Sequence, residues 1–261
     1  MDRNPVYLKK DEEIATIYIN RPEKRNALNY EMWQKVSKLT KQCEKDQEVK
    51  VIIFRGVDET AFSSGADISE FKTLRYSVEG ANKYNQATLI AEKTIMSITK
   101  PTIAMIQGYC VGGGCEISVA CDFRFSDVNG RFGITPAKLG LIYNLPGTKN
   151  LVDLVGPAKA KDILYTGRLL NAEEALQFGL IDRVYHPQEV VQKSYAYARM
   201  ICSRAQLSVR GSKYVVGKVL EGEIEDTEEI TERVLKSFES NDYKEGVKSF
   251  LEKRKPHFQY S

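Results

Sequence analysis

The amino-acid sequence predicts an α/β fold in which a mostly parallel sheet is followed by a helical segment. Up to about Leu145, short β-rich or continuous apolar runs alternate with stretches whose apolar residues have helical spacing. After Leu145 the strand signals fade, and amphipathic helical patterns follow one another. Strands that alternate with helices are typical of parallel sheets covered by helices, so an α/β front and a helical back are expected.

The elements of the front part follow in chain order. Ile14–Ile19 is a short β-rich run, and Val51–Phe54 is a continuous apolar run of the kind found in strands buried on both faces. Tyr30–Lys45 lies between them with helical spacing, so the three segments predict a β-α-β unit. A long helix, a strand, a short helix and a strand are then predicted at Ser77–Ser97, Pro101–Ile106, Gly113–Val119 and Asp122–Phe125.

The back part reads as consecutive amphipathic helices without an internal sequence repeat or a low-complexity linker. The predicted helices are Ala158–Thr166, Ala172–Phe178, Gln188–Ser203 and Glu228–Ser240. The acidic run Glu221–Glu229 is interpreted as a solvated helix start, because acidic side chains are favoured at the positive end of a helix.

Bulk composition narrows the function classes. Of 261 residues, 42% are hydrophobic and 28% are charged, and the formal net charge is +3. These values are ordinary for a globular protein, and so small a net charge gives no support to nucleic-acid binding. A polar N-terminus and the lack of an apolar run of about 18 residues predict a cytoplasmic protein that neither enters nor spans a membrane.

Cysteine and histidine usage argues against metal and triad chemistry. An odd number of cysteines without a CxxC pair predicts free, mostly buried thiols and no metal site, for Cys43, Cys110, Cys115, Cys121 and Cys202. The two histidines, His186 and His257, are expected at the surface. Few bases are therefore present for a Ser-His-Asp or Cys-His mechanism.

Two turns of small residues follow predicted strands and are candidate binding sites. Phe62–Ile68 follows the strand at 51–54, and Gly108–Glu116 follows the strand at 101–106. Ligands of open α/β sheets bind beyond the carboxyl ends of the strands. Glycine permits positive φ and close approach, so the two turns can supply two backbone N–H donors to an oxyanion hole. The alternative is that Gly112–Gly114 only allows a helix to pack tightly on the sheet.

Four motifs resemble the crotonase, or enoyl-CoA hydratase/isomerase, superfamily in order and spacing: Arg25–Asn29, Phe62–Asp67, Gly108–Glu116 and Phe250–Lys255. The resemblance covers essentially the whole chain. It implies a crotonase-like spiral β-β-α core at residues 1–195 and a C-terminal helical trimerisation region at 196–261. It also implies a homotrimer or a dimer of trimers that acts on acyl-CoA thioesters, with no cofactor beyond the coenzyme A of the substrate.

The resemblance assigns roles to individual residues. The backbone N–H groups of Ala66 and Gly113 would hold the thioester oxygen as it becomes an enolate. The positions that line the pocket for the CoA adenine are Ala27, Leu28, Asp67 and Ile68. Phe250 and Lys253 match residues that reach CoA, often from a neighbouring subunit. Lys24 and Arg25 match phosphate contacts or, equally, a solvated basic turn.

The reaction depends on how many glutamates the site contains. Hydratases of the superfamily carry a second glutamate about twenty residues after the first, and here Glu116 occupies the first position and Pro136 the second. Hydration suits two carboxylates because water must lose one proton while the α-carbon gains another. The two-glutamate hydratases, and the isomerases that use the same second carboxylate, therefore lose support.

The segment Ile134–Leu145 resembles the methylmalonyl-CoA decarboxylases instead. In that interpretation Tyr143 donates a hydrogen bond to the substrate carboxylate and holds it out of the thioester plane, while Glu116 positions or relays the proton that quenches the enolate. Loss of CO2 needs no base, only stabilisation of the enolate. These decarboxylases have a histidine where this chain has Ala66, which leaves substrate choice open.

Three functions follow, and decarboxylation of a malonyl- or methylmalonyl-type CoA is favoured. The alternative is an enoyl-CoA hydratase or isomerase of fatty-acid metabolism that recruits another acid, such as Glu70. A non-catalytic or RNA-binding relative has the weakest support, because basic charge is scattered. Structural alternatives for the two key side chains are a buried Tyr143 with a satisfied hydroxyl and a Glu116 that only stabilises a helix N-terminus.

Overall fold

A large, mostly parallel sheet runs through the centre of the fold. The computed structural model describes residues 4–259. In that range the sheet consists of β1 (Val6–Asp11), β2 (Ile14–Ile19), β3 (Val51–Gly56), β5 (Thr102–Ile106), β7 (Phe123–Asp127) and β10 (Arg183–Tyr185), in this spatial order. β1 and β2 are antiparallel, and every other neighbouring pair is parallel.

After β3, β5 and β7 the chain enters a second, smaller sheet. In the described range it consists of β4 (Ala61–Ser63), β6 (Tyr109–Val111), β8 (Arg131–Gly133) and β9 (Leu170–Asn171), of which only β9 is antiparallel to its neighbour. β3, β5 and β7 are each followed by one of these short strands and then by a helix. The β-β-α unit is thus formed three times in succession, and the predicted fold class is confirmed.

Helices cover both faces of the large sheet. They are α1 (Tyr30–Lys45), α2 (Val78–Ser97), α3 (Gly113–Ala120), α4 (Leu145–Val155), α5 (Pro157–Thr166), α6 (Ala172–Phe178), α7 (Val190–Cys202), α8 (Gln206–Glu221), α9 (Glu228–Glu239) and α10 (Asn241–Leu251). Side chains alternate across a strand, so Ile52 and Phe54 of β3 face the core beneath α1 and α2, whereas Val51 and Ile53 face α7.

The predicted helices are confirmed, and most of them agree to within one or two residues. The structure differs in the back part, where the short strands β9 and β10 occur after the strand signals fade, and in the helices α4, α8 and α10, which were not predicted. The acidic run Glu221–Glu229 is mostly a connection between α8 and α9, and only its last two residues enter the first turn of α9. All five cysteines are free and buried, and both histidines are exposed, as predicted.

The last three helices leave much apolar surface exposed. At least half of the surface of Val219, Leu235, Phe238, Phe250 and Leu251 is accessible in the single chain. Exposed apolar side chains in such numbers on neighbouring helices are typical of surfaces that a partner covers. The predicted division at residue 195 lies inside α7, which packs on the sheet, and that division stays a prediction. In residues 4–259 no helix combines the length and the apolar character that a membrane crossing requires.

Candidate active site

The two turns predicted from the sequence meet backbone to backbone. Gly65 and Gly112 have φ values of 103° and 50°, in the region that favours glycine. A Cβ atom on Gly112 would lie 3.5 Å from the Cα of Gly65, and one on Gly65 would lie 3.1 Å from the carbonyl oxygen of Val111. At Gly65 glycine is required by both conformation and contact, because a Cβ atom would crowd the Val111 carbonyl oxygen. At Gly112 the positive φ is the reason for glycine, since a Cβ atom there would make an ordinary contact.

The N–H group of Ala66 is turned away from its neighbouring strand. Leu28 forms a parallel bridge with Ala66, in which the Leu28 N–H donates to Gly65 O at 2.7 Å and the Asp67 N–H donates to Leu28 O at 2.8 Å. In a parallel bridge the N–H of the middle residue points to the other side. Within residues 4–259 this N–H donates to no other group, so it is available to a ligand.

The N–H group of Gly113 is the second available donor. Gly113 is the first residue of α3, where a backbone N–H has no acceptor inside the helix. It has no other acceptor in the described part of the chain. A Cβ atom here would lie 2.7 Å from Cζ2 of Trp33 and 3.2 Å from Cδ1 of Leu28. Packing thus fixes this N–H, and the arrangement matches the two donors expected of an oxyanion hole.

A buried hydrogen-bond chain supports both donors. The indole N–H of Trp33 donates to the Tyr84 hydroxyl at 2.9 Å, and that hydroxyl donates to Leu28 O at 3.1 Å. Burial raises the pKa of Tyr84, so the hydroxyl stays protonated. Sequence reasoning missed this chain, because Trp33 and Tyr84 both occupy ordinary core positions of their helices and nothing local shows that they meet.

Glu116 and Tyr143, which the sequence paired, do come together. Glu116 lies in the first turn of α3 and is half-buried. Burial raises its pKa to about 7, although the positive charge of Arg75 and a hydrogen bond from Tyr143 act in the opposite direction. Burial and the nearby carboxylates raise the pKa of Tyr143 well above its ordinary value, so its hydroxyl is a donor. A carboxyl group that titrates near neutrality can both accept and release a proton.

A second carboxyl group, not predicted from the sequence, lies beside Glu116. Glu92 of α2 is 2% exposed, and neither of its carboxylate oxygens has a hydrogen-bond partner in residues 4–259. Burial and then the charge of Glu116 raise its pKa to about 8. One signal was readable: Glu92 falls on the apolar face of α2 that also carries Thr88, Ala91 and Ile95.

Glu70, the acid considered as an alternative, has a structural partner. Its carboxylate accepts the backbone N–H of Tyr30 at 3.0 Å, at the first residue of α1. Burial raises the pKa of Glu70, while that hydrogen bond lowers it. The N-terminal end of a helix stabilises a carboxylate in this position, so Glu70 is committed to holding the turn against α1.

The fold and this site agree with what comparison with known proteins finds. A family model described as enoyl-CoA hydratase/isomerase matches residues 9–261. The chain belongs to this family. It is 35% identical to a crotonyl-CoA hydratase of Syntrophomonas wolfei over 254 residues, with 97% of each chain covered. It is 34% identical to a short-chain-enoyl-CoA hydratase of Clostridium acetobutylicum, with 98% of this chain and 97% of the relative covered.

A solved structure supports the same assignment. An enoyl-CoA hydratase/isomerase family protein from Hyphomonas neptunium is 38% identical and superposes with a TM-score of 0.96, covering 99% of this chain and 98% of that one. The resemblance read from the four motifs is therefore confirmed. The protein is an enzyme of the crotonase family, a lyase that acts on acyl-CoA.

The residues that the family resemblance assigns to the adenine pocket differ in exposure. Asp67 is 4% exposed and pairs with Arg21 at 2.9 Å and Lys24 at 3.1 Å. Burial alone would raise the pKa of Asp67, but hydrogen bonds from Ser69, Lys24 and Arg21 outweigh it and lower the pKa. Its side chain thus fixes the turn that carries Ala66, because its oxygens are already bonded.

The other predicted CoA contacts lie in two separate places. Ala27 and Leu28 are buried next to Asp67, and Ile68 is 79% exposed. Phe250 on α10 is 82% exposed and Lys253 follows that helix, which packs on α9. Within one chain these two groups are not brought together. The assignment of all these residues to CoA stays a prediction of the family resemblance.

The basic turn before the first motif is already engaged. The Lys24 ammonium pairs with Asp67, and the Arg25 guanidinium lies 5.3 Å from the centre of the Tyr109 ring.

In the part of the chain that the structure describes, no three His, Cys, Asp or Glu side chains are grouped so that they could hold a metal ion.

Proposed function

We propose that the protein hydrates a short-chain 2-enoyl-CoA. The observation that carries this proposal is the position of Glu116 in the first turn of α3, beside two backbone N–H groups that donate to no other group in residues 4–259. Burial raises the pKa of this carboxyl group to about 7. Hydration needs a group that removes a proton from water and a site that stabilises the enolate. Support also comes from the names of two relatives, a crotonyl-CoA hydratase and a short-chain-enoyl-CoA hydratase.

The geometry suggests how the reaction proceeds. The N–H groups of Ala66 and Gly113 bind the thioester oxygen and stabilise the negative charge that develops on it when water attacks the β-carbon. The loss of one such donor typically costs about 10²–10³ in rate. Glu116 removes the proton from water, and Tyr143 and Arg75 favour its ionised form.

Coenzyme A and the assembly complete the proposal. The exposed apolar faces of α8–α10 would be covered in a homotrimer or a dimer of trimers. The neighbouring subunit then brings its Phe250 and Lys253 to CoA, while Ala27, Leu28, Asp67 and Ile68 line the adenine pocket of the subunit that carries the acyl group. The bound CoA is part of the substrate, and no further cofactor enters the reaction.

Decarboxylation of a malonyl- or methylmalonyl-type CoA is the second candidate, and Arg75 favours it. This half-buried guanidinium lies 4.3 Å from the Phe71 ring centre and 4.5 Å from that of Tyr84, and it acts on Glu116. A cation there could pair with a carboxylate on the substrate. Against this candidate, the Tyr143 hydroxyl already bonds Glu116, and two nearby carboxyl groups disfavour a third.

The test is turnover of crotonyl-CoA, malonyl-CoA and methylmalonyl-CoA in parallel, followed by mass spectrometry. We expect addition of water to crotonyl-CoA, and Glu116→Gln should abolish it while leaving CoA affinity intact. Glu79→Gln, an exposed position on α2, is the matched control and should behave as wild type. Loss of CO2 from either diacid substrate without hydration would refute the proposal in favour of the second candidate.

A further inference from the structure

The fold gives no reason for a carboxyl group at position 92. Glu92 is 2% exposed on the face of α2 that packs against α3, and its two oxygens are without hydrogen bonds in the described residues. Burying a carboxyl group without partners is unfavourable, and burying it as an ion is far more so. An apolar side chain would suit the packing better, so the reason for the carboxyl group must lie in the site.

Glu92 has Glu116 on one side and a cavity on the other. On the α3 side, Glu116 is the charged group that acts on it. On the α4 side lies a pocket of about 360 Å³ with mostly apolar walls, whose lining includes Glu92, Lys93, Leu145 and Lys149. Lys93 and Lys149 are its cations, and Lys149 is already paired with Asp153 at 2.5 Å. The pocket begins at Leu145, two residues after Tyr143.

We propose that Glu92 is the second proton-transferring group of the hydration. It would replace the glutamate that two-glutamate hydratases have at the position of Pro136. This role rests on the proposed function. The α-carbon of the acyl chain then lies between Glu116 and Glu92. Two carboxyl groups on neighbouring helices thus carry out the two proton transfers, although the sequence lacks the usual two-glutamate pattern.

The environments of the two groups assign their roles. Tyr143 and Arg75 stabilise the Glu116 anion, whereas Glu92 has no donor and faces the negative charge of its neighbour. Two carboxyl groups so close share one proton near neutral pH. Glu92 therefore holds that proton and Glu116 is ionised.

The proton balance of the step closes. Glu116 takes a proton from water as the water oxygen bonds to the β-carbon, and the electron pair of the double bond moves through the α-carbon to the thioester oxygen. As the carbonyl re-forms, the α-carbon takes the proton of Glu92. The proton on Glu116 then passes to Glu92, and the pair ends with one proton, as it began.

The test compares wild type, Glu92→Gln, Glu92→Asp and the control Glu79→Gln with crotonyl-CoA between about pH 5 and pH 9. We expect Glu92→Gln to lower kcat by about 10²-fold or more while KM stays within about twofold, since general acid catalysis contributes on this scale. The alkaline limb of the kcat profile should disappear with the carboxyl group. Glu92→Asp should restore part of kcat and the alkaline limb.

The other possible outcomes contradict either the role of Glu92 or the hydratase assignment itself. If Glu92→Gln keeps the wild-type kcat and pH profile, Glu92 transfers no proton and the hydratase assignment stands without it. If Glu92→Gln and Glu92→Asp lose activity equally with altered KM, Glu92 is only structural. If wild type does not hydrate crotonyl-CoA, the proposed function itself fails, and the role of Glu92 fails with it.

Discussion

Replacing the buried carboxyl group of Glu92 by an amide should stabilise the protein, and increasingly so as the pH rises. Burial raises the pKa of Glu92 from 4.5 to about 8 in the folded state. The folded state therefore keeps a proton that the unfolded state releases. Stability present below pH 4.5 is lost progressively as the pH rises towards about 8, and no further loss from this group follows above that value.

The size of the effect follows from the same interval. Each pKa unit corresponds to about 1.36 kcal/mol, so wild type should lose on the order of 4 kcal/mol relative to Glu92→Gln across it. For a chain of this size about 1 kcal/mol moves Tm by roughly 2–4 °C. The difference in Tm between Glu92→Gln and wild type should therefore be larger near pH 8 than near pH 4.5, by on the order of 10 °C.

Thermal unfolding in a pH series is the assay, with circular dichroism or calorimetry as readout. Glu116 interacts with Glu92, so its own titration also changes in the variant, and the difference between the two proteins reports the titration of the pair. Glu79→Gln, exposed on the same helix, should give a curve parallel to that of wild type. Parallel curves for Glu92→Gln and wild type would refute the reasoning, because Glu92 would then titrate alike in the folded and unfolded states.

Two further predictions concern the donors and the base. Gly113→Ala brings a Cβ atom within 2.7 Å of the Trp33 ring and displaces the N–H, so kcat with crotonyl-CoA should fall by about 10²–10³-fold; wild-type kcat would contradict the role of this donor. Tyr143→Phe removes the hydrogen bond that lowers the pKa of Glu116. Its pKa should rise, and the acidic limb of the kcat profile should move to higher pH; a limb that stays in place would rule out this coupling.

Local signals predicted the helices well, because their ends are set by nearby residues. The Asn29 side chain accepts the Met32 N–H at the start of α1, and Asn171 and Glu174 form a capping box at the start of α6. The small sheet was not predicted because its strands have two or three residues, too few for an alternating pattern. The start of α4, where Asn144 caps a helix and a proline follows, was a signal that could have been used.

The candidate site divides in the same way. Ala66, Gly113 and Glu116 were predicted from motifs whose residues are close in sequence, and the structure brings these residues together. Glu92 was missed because its significance comes from a contact between two helices. Pro136 at the second glutamate position, together with Tyr143 and the segment Ile134–Leu145, favoured decarboxylation. A sequence shows that one carboxylate is missing but not which carboxyl group of another helix lies nearby.

The contact between Gly65 and Gly112 fixes the positions of the two backbone donors relative to each other. Neither turn has a side chain at the contact, so a substitution elsewhere in the pocket can exchange acids, bases or acyl-chain contacts without altering the spacing of the donors. Binding of the thioester oxygen therefore does not depend on which acids, bases or acyl-chain contacts surround it. An engineer could redesign the proton-transferring groups of this enzyme as a separate module, while the glycine contact would tolerate almost no variation.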